Sequence, residues 1–319
     1  MTTARRIPLL DLSHYTRGTK QERDTFIKAW GDGLKEFGFV SIVNHGVDPD
    51  VIARTYADAA RLFALPQDVK AKYEIAGGGG QRGYTSFGKE HAKNRKVGDL
   101  KEFWHVGREL EAGHAKRSVY GGNQFPSELP QFRANSLALY AALDTAAAVM
   151  LRALADYFTL PTNTFADMAH DGNSILRIIH YPPLKDMFVP GAVRAAEHED
   201  INLITLLCES TSSGLEILTR QGDWLAVDAL KGQIVVDSGD MLSRVTNEVV
   251  PSTTHRVVNP PSTSDDVVRY SMPFFVHPYP DCMLKIFDQC VTPENPKRYP
   301  DITADAFLQQ RLREIGLIK

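Results

Sequence analysis

The pair His198 and Asp200 carries the strongest chemical signal in this 319-residue sequence. On a β-strand, residues two apart project to the same side, so the pair can direct one imidazole nitrogen and one carboxylate oxygen to a single point. His255 begins a later β-rich run and can complete the set. Two imidazoles and one carboxylate bind a transition metal on one face and leave its other coordination positions open. Taken alone, a His-x-Asp pair is more often a solvated strand end.

Arg269 and Ser271 form a second candidate site, two residues apart within the apolar run 267–277. A buried guanidinium needs an anionic partner, and a guanidinium beside a hydroxyl suits a carboxylate. The alternative is a structural salt bridge to an acidic residue of the core. Tyr181 ends another apolar run before two prolines, where it is either an ordinary strand end or a phenol at the mouth of a barrel.

The order of these motifs along the chain favours the chemical interpretation. They resemble the iron- and 2-oxoglutarate-dependent oxygenases of the isopenicillin N synthase type, over roughly residues 7–287. The motifs that carry the resemblance are Ile7-Pro-Leu-Leu-Asp-Leu12, Gly38-Phe-Val-Ser-Ile-Val-Asn-His-Gly46, Arg82-Gly-Tyr84, Asp99-Leu-Lys-Glu-Phe103, Arg177-Ile-Ile-His-Tyr-Pro-Pro183, His198-Glu-Asp200, Thr253-Thr-His255-Arg-Val257 and Arg269-Tyr-Ser271.

This resemblance implies a mixed α and β fold with a double-stranded β-helix, or jelly-roll, core flanked by helices. It implies Fe(II) bound by His198, Asp200 and His255, and 2-oxoglutarate anchored through its far carboxylate by Arg269 and Ser271. The implied reaction consumes O2 and releases succinate and CO2. It oxidises a small-molecule metabolite, most simply by hydroxylation and alternatively by desaturation or cyclisation.

One family motif, Asn-Tyr-Tyr-Pro, is altered in this chain. Tyr181 matches its second tyrosine, which helps to hold the co-substrate, but His180 and Ile179 replace the first tyrosine and the asparagine. Between the implied ligands, Glu199 replaces the commoner threonine or serine. Strand alternation predicts that Glu199 points away from the metal.

Five further residues are predicted to contact the substrate, which we expect to be a small or medium polar metabolite: Arg82, Tyr84, Phe87, His105 and Phe274. Two other functions stay open. In an isopenicillin N synthase-like oxidase, the arginine–serine pair binds the substrate's own carboxylate and no 2-oxoglutarate is used. In a non-catalytic ligand-binding module, the same fold binds a ligand without turnover.

The secondary structure that must position these residues is predicted to change from mostly helical to mostly β near residue 165. Thr19 and Glu22 form a capping-box pattern, which predicts a helix that ends at Gly38. Residues 77–96 are predicted to form a loop. Residues 136–158 and 303–317 are predicted to form helices. Short β-rich runs with turns between them fill residues 175–287. We therefore divide the chain into an N-terminal family segment (1–125), a long helix (126–165), the oxygenase domain (166–290) and a C-terminal helical tail (291–319).

Composition excludes several classes of partner. Lys and Arg total 36 against 39 for Asp and Glu, which gives a net charge of −3 and no basic excess for nucleic acid or an anionic membrane. Three cysteines are too few for a disulfide framework. The most apolar stretch, residues 137–158, contains Asp144, Arg152 and Asp156, so we interpret it as a buried helix rather than a membrane span. The N-terminus lacks the apolar core of a signal peptide. The sequence predicts a cytoplasmic monomer.

Overall fold

The computed structural model describes residues 6–76, 81–90, 98–183, 193–259 and 268–314. Within these ranges, a large sheet and a small sheet face each other, and helices pack on the outer side of the large sheet. The helices are α1 (Leu12–Thr16), α2 (Lys20–Phe37), α3 (Pro49–Phe63), α4 (Gln67–Ala71), α5 (Pro130–Tyr157), α6 (Thr164–Ala169), α7 (Asp240–Val245) and α8 (Ala304–Glu314). A single 3₁₀ turn spans Asp288–Cys290 in this part of the chain.

The strands are short, and most of them pair in antiparallel fashion. They are β1 (Leu9–Asp11), β2 (Phe39–Val43), β3 (Gly83–Thr85), β4 (Glu102–Gly107), β5 (Ile175–Tyr181), β6 (Ala195–His198), β7 (Ile204–Cys208), β8 (Leu215–Leu218), β9 (Trp224–Ala226), β10 (Ile234–Ser238), β11 (His255–Val257), β12 (Arg269–Ser271), β13 (Pro273–Val276), β14 (Met283–Leu284) and β15 (Ile302–Thr303). The large sheet has the order β1-β2-β10-β7-β13-β5-β4-β3, with β12 also paired to β5. The small sheet has the order β6-β11-β8-β9, and β14 pairs with β15.

Local sequence signals account for the helix that leads into the large sheet. Thr19 and Glu22 form both hydrogen bonds of the capping box at the start of α2, as predicted. Gly38 ends the helix in the left-handed region, at φ 67°, where a glycine has no steric penalty. The chain then enters β2 directly, so this turn sets the register of the strand beside β10.

The long helix α5 is apolar along most of its length because it packs inside the protein. It lies against α2, α3 and α6 and against the outer face of the large sheet. Its length and composition alone would allow it to cross a membrane, but half of its most apolar window is buried within the described structure. Arg108 forms a two-armed ion pair with Asp144 on this helix, at 2.8 and 2.9 Å. The interpretation as a buried core helix therefore accounts for its apolar composition.

Strand alternation on β5 separates two environments. Arg177, Ile179 and Tyr181 face the small sheet and line the space between the sheets. The intervening side chains face the helices; His180, for example, stacks on Phe63 with ring centroids 5.2 Å apart. The replacement of a family tyrosine by His180 therefore lies on the face away from the inter-sheet space.

Three predicted elements differ in the structure. The predicted loop 77–96 contains β3, while residues 77–80 and 91–97 lie outside the described ranges. The predicted run 267–277 is two strands, β12 and β13, because the chain breaks at Met272 before Pro273, which has no N–H to donate. The predicted helix 303–317 is described only as far as α8 extends, to Glu314.

Candidate active site

Three side chains converge where β6 ends and β11 begins. His198 and His255 are direct partners in this antiparallel ladder. Their imidazole centroids are 4.3 Å apart, and Nε2 of each ring is 3.9 Å from Oδ1 of Asp200. One potential ligand atom from each residue lies within 4.8 Å of the other two. The structure therefore brings together the three residues singled out in the sequence.

Asp200 reaches this position through a turn. β6 ends at His198, so the expectation that both residues share a strand face is wrong. The backbone carbonyl of Asp200 accepts the Asp240 N–H at 2.8 Å, and the Thr205 hydroxyl donates to Oδ2 of Asp200. Asn202 in turn donates to the Thr205 hydroxyl at 2.8 Å. These bonds hold the carboxylate with Oδ1 toward the two imidazoles.

Each imidazole is oriented by a backbone carbonyl. Nδ1 of His198 lies 2.7 Å from the Ala196 carbonyl oxygen, and Nδ1 of His255 lies 3.1 Å from that of Thr253. A carbonyl accepts only an N–H, so Nδ1 of each ring carries a proton and Nε2 is the ring nitrogen that faces Asp200. Burial and the neighbouring His198 lower the pKa of His255 to about 4, so this ring is neutral at neutral pH.

Arg269 is a buried cation that lacks a full set of partners. It lies at the start of β12, and the residue is 1% exposed. Nε donates to the Ser212 carbonyl at 3.1 Å, whereas Nη1 has no hydrogen-bond partner within the described ranges. Ser271 projects to the same face, and the Tyr181 ring centroid is 5.0 Å from the guanidinium carbon. This donor set fits a carboxylate ligand.

An inner cavity of about 60 Å³ is lined both by the triad and by Arg269. Asp237 also lines it, and burial together with the nearby Asp200 raises the pKa of Asp237 well above its usual range. The raised pKa favours the neutral form of Asp237, so Asp200, which faces both imidazoles, is the better candidate for a metal ligand. None of the sequence motifs included Asp237. The cavity thus offers metal ligands, and a buried guanidinium nitrogen that has no partner within the described ranges, to one short dicarboxylate.

An outer cavity of about 310 Å³ opens on the other side of the triad. It shares Arg177 and Lys101 with the inner cavity, and His105 lies in its wall. Its described lining is Gln81, Glu90, Asp99, Lys101, His105, Ile175, Arg177, Glu197, His198, Glu199, Asp200, Ile201, Asn202, Thr254, Phe275, His277, Leu308, Arg311 and Leu312. Glu199 faces this cavity with its carboxylate bonded to Thr254 at 3.0 Å.

Two residues predicted to contact the substrate face the helices instead. Phe274 packs edge-on against Tyr140 of α5, with ring centroids 4.9 Å apart, and Phe275 lines both cavities in its place. Tyr84 donates its hydroxyl to Glu102 on the same outer face of the large sheet. Both predictions are wrong because strand alternation directs these side chains away from the space between the sheets.

Two other predicted contacts lie outside both described cavity linings. Arg82 donates to Asn173 at 2.7 Å and to the Gln81 carbonyl at 2.7 Å, so this arginine ties the strand edge to a neighbouring loop. Phe87 lies edge-on to the outward-facing His180 ring, with centroids 6.5 Å apart. Neither position supports the predicted substrate contact.

No role in the cavity was predicted for the charged residues Arg177 and Glu90. Arg177 shares a strand face with Tyr181, so alternation along β5 was a signal that could have found it. From Arg269 onward every second side chain faces the space between the sheets, and Phe275 and His277 continue this alternation. Glu90 comes from a distant segment, so no local pattern indicates it.

We predict that His277 makes folding sensitive to acid. Burial lowers the pKa of His277 from 6.5 to about 4, so below pH 6.5 the unfolded chain binds more protons than the folded one. The free energy of unfolding should therefore fall by up to about 3 kcal/mol as pH drops from 7.5 to 4. Urea unfolding across this range measures the loss, and His277→Gln should reduce it by that amount. Equal pH dependence in both proteins would contradict the assignment.

The fold and the site together define a class. Two imidazoles and one carboxylate, set between the sheets of a jelly roll, form the donor set of a mononuclear non-haem iron centre with open coordination positions. The adjacent Arg269, whose Nη1 has no partner among the described residues, adds a carboxylate-binding group within the same cavity. This combination defines an oxygenase that uses an acidic organic co-substrate.

Comparison with known sequences agrees with that class. Residues 7–128 match the family described as non-haem dioxygenase in morphine synthesis N-terminal, and residues 172–278 match the 2OG-Fe(II) oxygenase superfamily. A 2-oxoglutarate-dependent dioxygenase of Aspergillus rugulosus is 30% identical over 95% of this chain and 97% of that protein. This chain belongs to the 2OG-Fe(II) oxygenase superfamily and is a non-haem Fe(II)- and 2-oxoglutarate-dependent dioxygenase.

Solved structures share the whole fold. A protein of the 2OG-Fe(II) oxygenase family from Caulobacter crescentus has a TM-score of 0.87 and 42% identity, and the match covers 97% of this chain and 98% of that one. A full-length Neurospora crassa protein, solved in complex with α-ketoglutarate and thymine, has a TM-score of 0.85 and 29% identity, with 96% of each chain covered. The predicted jelly-roll fold and the predicted use of iron and 2-oxoglutarate are confirmed.

Proposed function

We propose that His198, Asp200 and His255 bind Fe(II), and that Arg269 and Ser271 bind the far carboxylate of 2-oxoglutarate. The observation that carries this proposal is the buried Nη1 of Arg269, which has no partner in the described part of the chain and shares one small cavity with the three ligand side chains. An orphaned buried donor is costly, and a carboxylate would satisfy it.

Tyr181 forms one wall of the proposed co-substrate site. It pairs directly with Arg269 across β5 and β12 and is buried beside the guanidinium. The phenol ring therefore restricts where the guanidinium can lie. We propose that Tyr181 positions Arg269 and excludes water from the carboxylate, which strengthens the ion pair by keeping the local dielectric low.

Iron and 2-oxoglutarate supply the oxidising chemistry, in which O2 is consumed and succinate and CO2 are released. The chain's own residues prepare the site for this chemistry. The two backbone carbonyls orient both imidazoles, and Thr205 fixes the carboxylate of Asp200. The raised pKa of Asp237 disfavours a second negative charge in the cavity.

We propose that the reaction is hydroxylation of a small polar metabolite held in the outer cavity. Its volume of about 310 Å³ suits a compact molecule, and its wall contains His105, Arg177 and Phe275. The Neurospora crassa structure contains thymine, a compact polar heterocycle, which supports this size class for a related fold. Hydroxylation needs only that a C–H bond of the substrate lies beside the iron site.

Anaerobic titration with Fe(II) and 2-oxoglutarate tests the proposed ligands. The wild-type protein should develop the weak visible charge-transfer band of its Fe(II)–2-oxoglutarate complex. Arg269→Ala should raise the 2-oxoglutarate concentration needed for the band by about 100-fold, because a buried charge loses its partner. His255→Ala should remove the band by preventing iron binding.

A matched arginine provides the control. Arg256 lies on β11 next to His255 but pairs with Glu216 at 2.8 Å and with Glu197 at 3.4 Å. Arg256→Ala should leave the band and its 2-oxoglutarate dependence within about twofold of wild type. If Arg269→Ala behaves like Arg256→Ala, the co-substrate site is assigned wrongly. Oxygen uptake without 2-oxoglutarate would instead favour the oxidase, an alternative that the matched relatives do not favour.

A further inference from the structure

The outer cavity contains a buried cluster of four charged side chains. Lys101 Nζ lies 2.9 Å from Glu90 Oε1 and 2.8 Å from Asp99 Oδ2, and Arg177 Nη1 donates to the same Glu90 Oε1 at 3.1 Å. Side chains of this cluster are 4–15% exposed, so water screens these charges weakly. Two cations and two carboxylates balance, so neither cation is left to attract an anionic substrate.

Glu90 differs from the other members because one of its oxygens is unused. Both cations bond to Oε1, while Oε2 is buried and has no hydrogen-bond partner in the described part of the chain. Burial alone would raise the pKa of Glu90, but Arg177 and Lys101 outweigh it and hold that pKa well below its usual range. Oε2 is therefore an ionised acceptor without a donor among the described residues, on a side chain that lines the cavity.

Arg177 holds this carboxylate in a fixed place. Its Nε donates to His105 Nε2 at 2.6 Å, and its guanidinium carbon lies 4.2 Å from the Phe103 ring centroid and 5.1 Å from that of Phe275. A guanidinium enclosed by two rings and bonded at two nitrogens has little freedom to turn. The ion pair with Glu90 is therefore preorganised before any substrate enters.

We propose that Glu90 determines substrate specificity, by accepting an N–H from an uncharged substrate such as a lactam or cyclic imide. A site that presents a buried acceptor rejects analogues that lack the donor, because the acceptor then stays unpaired. The balanced cluster also disfavours carboxylate substrates, which would face Glu90 and Asp99 while Lys101 and Arg177 are already paired. This inference rests on the proposed function of the outer cavity as the substrate site.

The test compares three probes on the anaerobic Fe(II)–2-oxoglutarate enzyme by isothermal titration calorimetry: thymine, 1,3-dimethylthymine and phenylacetate. Wild type should bind thymine at least about tenfold more tightly than either other probe. In Glu90→Gln, the affinity for thymine should exceed the affinity for 1,3-dimethylthymine by less than about threefold. The glutamine has one acceptor oxygen, which Arg177 and Lys101 take, so its amide N–H groups would face the substrate.

Two further variants keep the test decisive. Glu74 accepts from Lys89, the residue before Glu90, and does not belong to the described cavity lining, so Glu74→Gln should keep the wild-type ratio. Glu90→Asp keeps the charge but withdraws the carboxylate by one methylene, so it should also lower the ratio even if Glu90→Gln fails to fold. An unchanged ratio in both Glu90 variants overturns the inference, as does wild-type enzyme that prefers phenylacetate or binds no thymine.

Failure of this inference is distinguishable from failure of the proposed function. The visible band of the Fe(II)–2-oxoglutarate complex is recorded in the same samples before each probe is added. If wild type shows no band, the proposed metal and co-substrate sites fail. If the band is intact and the probe ratios are unaffected by Glu90, only the assignment of specificity to Glu90 fails.

Discussion

Asp200→Ala is expected to abolish Fe(II) binding and turnover together. Asp200 supplies the one carboxylate among the three proposed ligands, and without it two imidazoles alone must hold the cation. Loss of an outer-shell partner alone costs roughly 10- to 100-fold in metal affinity or activity, so loss of the ligand should exceed that range. Iron content after dialysis and succinate release in the presence of substrate measure the two effects.

Thr205→Val provides a graded comparison for the same carboxylate. It removes the hydroxyl that donates to Oδ2 of Asp200 but keeps the size of the side chain. We expect a loss of roughly 10- to 100-fold in iron affinity, between wild type and Asp200→Ala. Thermal unfolding of the iron-free proteins checks that each variant is folded. If Asp200→Ala retains wild-type iron affinity, the carboxylate is not a ligand and the proposed centre is wrong.

Elements whose signals lie within a few consecutive residues were predicted from the sequence. The capping box at Thr19 and Glu22 and the stop at Gly38 are completed by residues at most four positions away, so they can be read without the fold. β6 has no such signal. Its four residues, Ala195–His198, become a strand because they pair with β11, and the sequence contains no alternation that predicts this.

The same distinction applies to the site: residues with a local sequence signal were predicted, and residues brought together only by tertiary contacts were not. The triad was predicted because its residue types are chemically specific, even though Asp200 lies on a turn rather than on the predicted strand. Phe274 was placed in the pocket by proximity in sequence, whereas the alternation from Arg269 to Ser271 continues to Phe275. Glu90 was missed because its partners Lys101 and Arg177 are brought to it only by tertiary folding.

The largest effect on stability is expected from Glu102→Ala. Glu102 is 1% exposed on the outer face of the large sheet, where Lys70 donates to Oε2 at 2.7 Å and His180 Nδ1 lies 2.7 Å from Oε1. The Tyr84 hydroxyl is a further donor. Removing the carboxylate leaves the Lys70 ammonium buried without a counter-ion, which costs about 3–5 kcal/mol in free energy of unfolding. Urea unfolding at pH 7 measures the loss.

A double variant separates this unpaired charge from loss of packing. Lys70→Met with Glu102→Leu removes both charges while it fills similar volume, so it should be much less destabilising than Glu102→Ala. An exposed pair, Lys20 and Asp24, provides the opposite control, because Asp24→Ala should cost at most about 1 kcal/mol. If Glu102→Ala costs no more than Asp24→Ala, the buried network does not stabilise the sheet.

The comparison of Glu102 with Glu90 explains why one buried carboxylate is assigned to stability and the other to specificity. Both form ion pairs with a buried lysine, and the two lysine–glutamate pairs lie on opposite faces of the large sheet. Both oxygens of Glu102 have donors, so nothing remains for a ligand to satisfy. Glu90 lies beside a cavity, and one of its oxygens has no donor among the residues that the structure describes. Glu102→Ala should therefore lower stability in every assay, whereas Glu90→Gln should change which probes bind.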